Sequence, residues 1–199
     1  MPGVAAVLLA AGESTRMGTV KALLPWQRGL SILASQVHAL SDAGYSPIIV
    51  VLGHEATRLR GEVPMLPGVT VVENPRYAEG RATSVVRGVQ EAPPDVEGVL
   101  IASVDQPRPA SMLSTLREAF LRELPAIALP AYEGRTGHPP LFAGALLSEL
   151  LAVTEEREGL REVVSRHREE LLSVTADTPL TLTNLNTQDD YEAALKLLD

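Results

Sequence analysis

The sequence predicts an α/β protein: a three-layer α/β/α arrangement around a mostly parallel, mixed central sheet. Three observations predict it. Short β-rich apolar runs alternate with longer amphipathic stretches along the chain, the pattern left by strand–helix–strand crossovers. The first run, VAAVLLA at 4–10, is apolar at every position with no helical gaps, as a strand covered on both faces must be. The segments that follow several of these runs carry glycines and polar residues, where open α/β sheets bind ligands.

Taken in order, SILASQVHALSDAG at 31–44 puts Ile32, Leu33, Val37 and Leu40 on one helical face, with Ser31 as N-cap and Gly44 as stop. PIIVVLG (47–53) reads as a strand, EATRLRGEV (55–63) as a short helix, VTVVENP (69–75) as a strand and RATSVVRGVQEA (81–92) as a helix. GVLIASVDQP (98–107) is a strand running into a polar turn, and SMLSTLREAFL (111–121) a helix. AIALPAY (126–132) is a strand, YEGRTGHPPLF (132–142) a loop, and ALLSELLAV (145–153) and EGLREVVSRHREEL (158–171) are helices. LLSVTAD (171–177), a short strand LTNLN (182–186) and a final helix TQDDYEAALKLL (187–198) close the chain. With no repeat, linker or low-complexity segment, residues 1–199 are expected to form one domain.

Composition narrows the function classes. The chain is 45% hydrophobic and 21% charged, as in an ordinary globular protein. It has no cysteine, which excludes disulfides, thiol nucleophiles and cysteine-ligated zinc. A net charge of −8 argues against nucleic acid or an anionic membrane as partner. The N-terminal run MPGVAAVLLAAG lacks the basic flank of a secretory signal, and no run reaches the roughly 18 apolar residues of a membrane span. A cytoplasmic protein is expected.

In the opening loop, Gly12 and Gly18 flank a segment holding Arg16, and Lys21 follows; it is one of two lysines among 17 basic residues. Glycines let successive N–H groups converge on one anion, the guanidinium offers a planar fork, and the ammonium a compact charge. The residues alone leave open a polyphosphate cradle or a plain turn with surface charges. Neither the Walker A spacing nor the dinucleotide Gly-x-Gly-x-x-Gly spacing is present.

Leu9, Ala10, Ala11, Gly12, Ser14, Arg16, Met17, Gly18 and Lys21 fill every defining position of Leu-Ala-Ala/Gly-Gly-x-Ser-x-Arg-Met-Gly-x-x-Lys. This resembles the signature of the MobA-like nucleotidyltransferases, and Leu-Ala-Ala-Gly is similar to their molybdenum-cofactor cytidylyltransferase branch. The resemblance implies a Rossmann-like fold of nucleotidyltransferase type. It also implies that this loop holds the triphosphate of a nucleotide, with Lys21 on phosphate.

Other segments extend the resemblance. Asn74, Pro75, Gly80 and Ser84 match a family segment that holds base and ribose; read alone, they make a glycine turn and a helix cap. Asp105 and Pro107 match the Gly-Asp-x-Pro metal motif, although Ser103 and Val104 replace its usual leading residues. A carboxylate at a strand end beside the crevice suits Mg²⁺, and that reading is preferred to an aspartate that only opens a turn before proline. Asn186 aligns with the position that completes the Mg²⁺ site, whereas Asn184 and Asn186 lean toward the guanylyltransferase pattern; Thr187, Asp189 and Asp190 also read as a helix cap. Gly134, Gly137, His138, Pro139, Leu141 and Phe142 match a loop on the acceptor side, which implies acceptor contacts from Gly137, His138 and Pro139. Only Gly159 and Arg161 survive from a nearby family segment, Gly-Asp-x-Gly-x-Arg, so no substrate contact is assigned there.

The resemblance thus implies a Mg²⁺-dependent enzyme that moves CMP from CTP to the terminal phosphate of molybdopterin and releases pyrophosphate, with Arg16, Lys21 and Asp105 as catalytic groups. A molybdoenzyme or its chaperone is the implied downstream partner. Alternatives are GTP as donor, a sugar phosphate or alcohol phosphate as acceptor, and a cofactor-binding chaperone without turnover.

Overall fold

The structure, a computed structural model, describes residues 3–13 and 19–198. Its strands are β1 (Val4–Ala10), β2 (Ile48–Leu52), β3 (Val69–Glu73), β4 (Gly98–Ser103), β5 (Ile127–Tyr132), β6 (Arg135–Thr136), β7 (Leu141–Ala143) and β8 (Leu171–Thr175). Its helices are α1 (Ile32–Asp42), α2 (Ala56–Arg60), α3 (Arg81–Val89), α4 (Ala110–Glu123), α5 (Leu147–Leu151), α6 (Leu160–Arg166) and α7 (Gln188–Leu195).

β1 lies between β2 and β4, parallel to both, and β3 extends the parallel set beyond β2. All seven residues of β1 are buried. The pleat sends Val4, Ala6, Leu8 and Ala10 into one core with α1 and α4 residues, and Ala5, Val7 and Leu9 into a second core with α3 and α5 residues. An apolar residue at every position is therefore what a two-faced central strand requires.

The sheet becomes mixed beyond β4. β7 pairs antiparallel with both β4 and β5, β6 pairs antiparallel with the end of β5, and β8 adds to β5 in parallel. Two expectations are corrected here. The segment 132–142, read as a loop, contains β6 and the first two residues of β7, strands too short for a period of 2 to show. LTNLN, read as a strand, is the end of a 3₁₀ turn (Pro179–Leu182) followed by irregular chain. Leu185 joins a small cluster with Ile32, Leu180, Tyr191 and Ala194, against which Trp26 packs.

Local signals set the helix ends where they were legible. Ser31 Oγ accepts from Ala34 N–H at 3.2 Å, the N-cap bond that leaves fewer orphan donors. Thr187 and Asp190 form a full capping box on α7.

Candidate active site

Because β1 to β4 run parallel, their carboxyl ends open on one edge of the sheet, and polar side chains gather there. Asp105 stands two residues beyond β4, half-buried. Val104 N–H donates to Leu9 O at 3.0 Å, holding this turn against the end of β1. Ser103 Oγ donates to Asp105 Oδ1, so the serine that departs from the family motif orients the carboxylate. Leu185 N–H donates to Asp105 O at 2.8 Å, bringing the chain at Asn184 and Asn186 alongside. Asn184 Oδ1 is held by Gln106 Nε2 at 2.7 Å, whereas Asn186 N–H donates to Asp190 Oδ2 at 3.0 Å.

Asp190 links this loop to the lysine. Its carboxyl is held below the usual aspartate value first by Thr187, through side chain and main chain, then by Asn186 N–H, and also by the charge of Lys21. Lys21 itself is buried, 8% exposed, in a 3₁₀ turn (Lys21–Leu23). Leu9, Ala10 and Ala11 are buried and Gly12 is exposed, so the motif offers main chain rather than side chains at the end of β1. Ser14, Arg16, Met17 and Gly18 lie outside the described residues.

Among the described residues, no cluster of three or more His, Asp or Glu is placed to hold a metal ion. One carboxylate and one amide oxygen nevertheless fit Mg²⁺, which takes most of its ligands from water and substrate phosphates and dispenses with an all-protein cage.

Asn74 and Ser84 are placed differently from Asp105. Asn74 is 3% exposed; its Nδ2 donates to Thr83 Oγ1 and Ser84 Oγ, both at 2.9 Å, and its Oδ1 accepts from Arg76 N–H at 3.0 Å. These polar atoms are spent in tying the end of β3 to α3, which shapes the turn carrying Gly80. Gly80 has φ +123°, and a Cβ there would stand 2.4 Å from Glu155 Cγ. Glu155 Oε1 accepts from Ala82 N–H at the first turn of α3, so a carboxylate from a distant segment occupies the end expected to favour an anion. Nothing local in the sequence marks Glu155 for this, since its partner is 73 positions away.

On the other side of the crevice is a cavity of about 770 Å³ whose walls include Arg81, Gln106, Gly137, His138, Glu155 and Arg161. Gly137 comes so close to Thr181 that a Cβ would stand 2.2 Å from its carbonyl oxygen. Desolvation, then the charges of Arg81 and Arg108, with Arg161 a smaller contribution, push the His138 pKa below the usual histidine value, against the pull of Asp105. Pro139 is buried behind it. Gly159 and Arg161, the sparse remnant of a motif, line the same cavity.

Sequence reasoning missed Arg108. It is 2% exposed, and its guanidinium donates from Nε to His138 O at 2.9 Å and from Nη1 to Thr183 O at 3.0 Å and Pro107 O at 3.1 Å. Burial pushes its pKa down to about 9, partly offset by Asp105, so it remains charged at neutral pH.

The chain is 28% identical to the molybdenum cofactor cytidylyltransferase of Escherichia coli (strain K12), over 98% of this chain and 96% of that protein. It is 30% identical to a probable molybdenum cofactor guanylyltransferase of Bacillus cytotoxicus, over 98% of each. The crystal structure of Rv0371c from Mycobacterium tuberculosis H37Rv matches with a TM-score of 0.83 and 28% identity over 98% of both chains. A manganese complex of that protein matches with a TM-score of 0.77 and 26% identity, again over 98% of both. A MobA-like NTP transferase domain matches residues 6–181, and the chain belongs to that family of nucleotidyltransferases.

Proposed function

We propose that this chain, acting as one domain over residues 1–199, transfers CMP from CTP to the terminal phosphate of the molybdenum cofactor with Mg²⁺. The observation that carries the reading is the meeting of Asp105 with the 183–186 loop, through Leu185 N–H to Asp105 O at 2.8 Å, beside the cavity that holds His138. The Escherichia coli relative supports CTP and the cofactor as substrates, and the manganese complex supports a divalent ion.

In this reading an ionised oxygen of the acceptor phosphate forms a bond to the α-phosphorus. The α–β P–O bond breaks, and pyrophosphate leaves with that electron pair. No protein nucleophile is needed. A divalent cation held by Asp105 and Asn186 would supply charge neutralisation at the phosphates. Lys21 and Arg16 meet the triphosphate, with main-chain N–H groups from Gly12, Ser14 and Gly18. Leu9, Ala10 and Ala11 set the path of that loop, while Asn74, Gly80 and Ser84 shape the turn on the base and ribose side. Gly137, His138 and Pro139 form the acceptor wall, and a neutral imidazole offers a hydrogen bond there rather than a charge. The chain's contribution is alignment and preorganised charge.

A second reading has GTP as donor. It is favoured by the amides of Asn184 and Asn186 in place of aspartates and by the Bacillus cytotoxicus relative. Pyrophosphate release measured with CTP, GTP, ATP and UTP in the presence of molybdopterin separates the two. Selectivity for CTP is the expected outcome, selectivity for GTP establishes the second reading, and no release with any of the four removes both.

A further inference from the structure

Arg108 is, among the described residues, the most deeply buried cation, at 2% exposed. A cation enclosed this far is costly unless its hydrogen bonds compensate for lost water. Its bonds go to main-chain oxygens of His138, Thr183 and Pro107. Those oxygens belong to three segments: the acceptor wall, the loop leading to Asn186, and the turn that begins with Asp105. Arg108 is itself clamped from α1, where its N–H donates to Gln36 Oε1 at 3.0 Å and Gln36 Nε2 donates back to Arg108 O at 3.1 Å. Its Nη2 is enclosed without a hydrogen-bond partner, so the side chain carries an uncompensated donor to keep this geometry.

We propose that Arg108 is a positioning residue that holds the Asp105 turn, the His138 wall and the 183–186 loop in one register, coupling divalent-ion binding to the acceptor pocket. The proposal rests on the reading of Asp105 and Asn186 as ion ligands. Only a planar fork reaches carbonyls lying in different directions at once; an ammonium carries the same charge on one point. The Lys substitution therefore keeps the charge and removes the reach.

The test is Arg108→Lys, read in two ways. Mn²⁺ titration followed by electron paramagnetic resonance, without nucleotide or acceptor, measures the ion site directly. Steady-state pyrophosphate release gives the acceptor KM. The expected result is a cooperatively melting variant with Mn²⁺ affinity weakened by about 10-fold or more, the size of loss seen when residues that orient metal ligands are changed, together with a raised acceptor KM. A folded variant in which either quantity is unchanged overturns the proposal, because coupling moves both. If the variant does not fold, hydrogen exchange on the unsubstituted protein decides. Saturating Mn²⁺ is expected to slow exchange of the Gly137 and His138 amides, which donate to Pro130 O and Thr181 O, and unchanged exchange there overturns the coupling. Failure of the unsubstituted protein to bind Mn²⁺ at all would instead remove the ion-site reading beneath the proposal.

Discussion

On the nucleotide side of the crevice, the groups proposed to meet the triphosphate come from one contiguous stretch, Gly12 to Lys21, hung on the fully buried strand β1. On the side proposed for the acceptor, the cavity wall is assembled from separated pieces: Arg81 at the start of α3, Gln106 after β4, Gly137 and His138 before β7, Glu155 to Arg161, and Asn184. The first kind of site is set by spacing along the chain. The second exists only when long-range hydrogen bonds, such as Glu155 to Ala82 and Arg108 to His138, bring the pieces together. Local spacing survives substitution elsewhere, whereas a composite wall inherits every packing change around it.

That contrast can be broken at several points. The largest expected effect is chemical: Lys21→Ala and Asp105→Ala should each lower turnover by about two orders of magnitude or more, as removal of a preorganised charge does. Circular dichroism should report an intact fold in both, and near-normal pyrophosphate release in either would sink the proposed mechanism. A medium effect belongs to the composite wall. Glu155→Ala removes the acceptor at the first turn of α3, and the loss should be about 0.5–1 kcal/mol, in the range for lost N-caps. Denaturant titration measures it, and the acceptor KM should change more than the nucleotide KM, which also shifts because Glu155 packs against Gly80. Equal changes in both would show that the two sides are not separable.

The smallest effect is a pH slope. The folded pKa of His138 lies below its ordinary value of 6.5, so the unfolded chain binds its proton first as pH falls. The neutral ring's contribution to stability is therefore complete above about pH 6.5 and is lost as pH drops toward the folded pKa. His138→Gln should flatten the stability profile below that point; an unchanged slope in denaturant midpoints would assign the acid sensitivity to other groups, such as Asp190.

Much of the architecture was legible because its causes are local. β1 is continuous apolar sequence since both its faces are covered, and Ser31 and Thr187 cap helices through bonds that span three residues. β6 and β7 were not legible, because strands of two and three residues carry no periodicity. LTNLN misled for the opposite reason: its alternation matches a strand, but Leu185 packs with the final helix and its N–H is taken by Asp105 O.

By itself, then, the sequence determined the α/β class, the order of most elements and the family, since periodicity, caps and motif spacing are properties of short stretches. Only the tertiary structure decided that Asn74 and Ser84 bond each other, that Glu155 sits on α3, and that Arg108 spans three segments. The physical reason is that a buried polar group must find its partner wherever the fold places one, and the distance along the chain to that partner leaves no local mark.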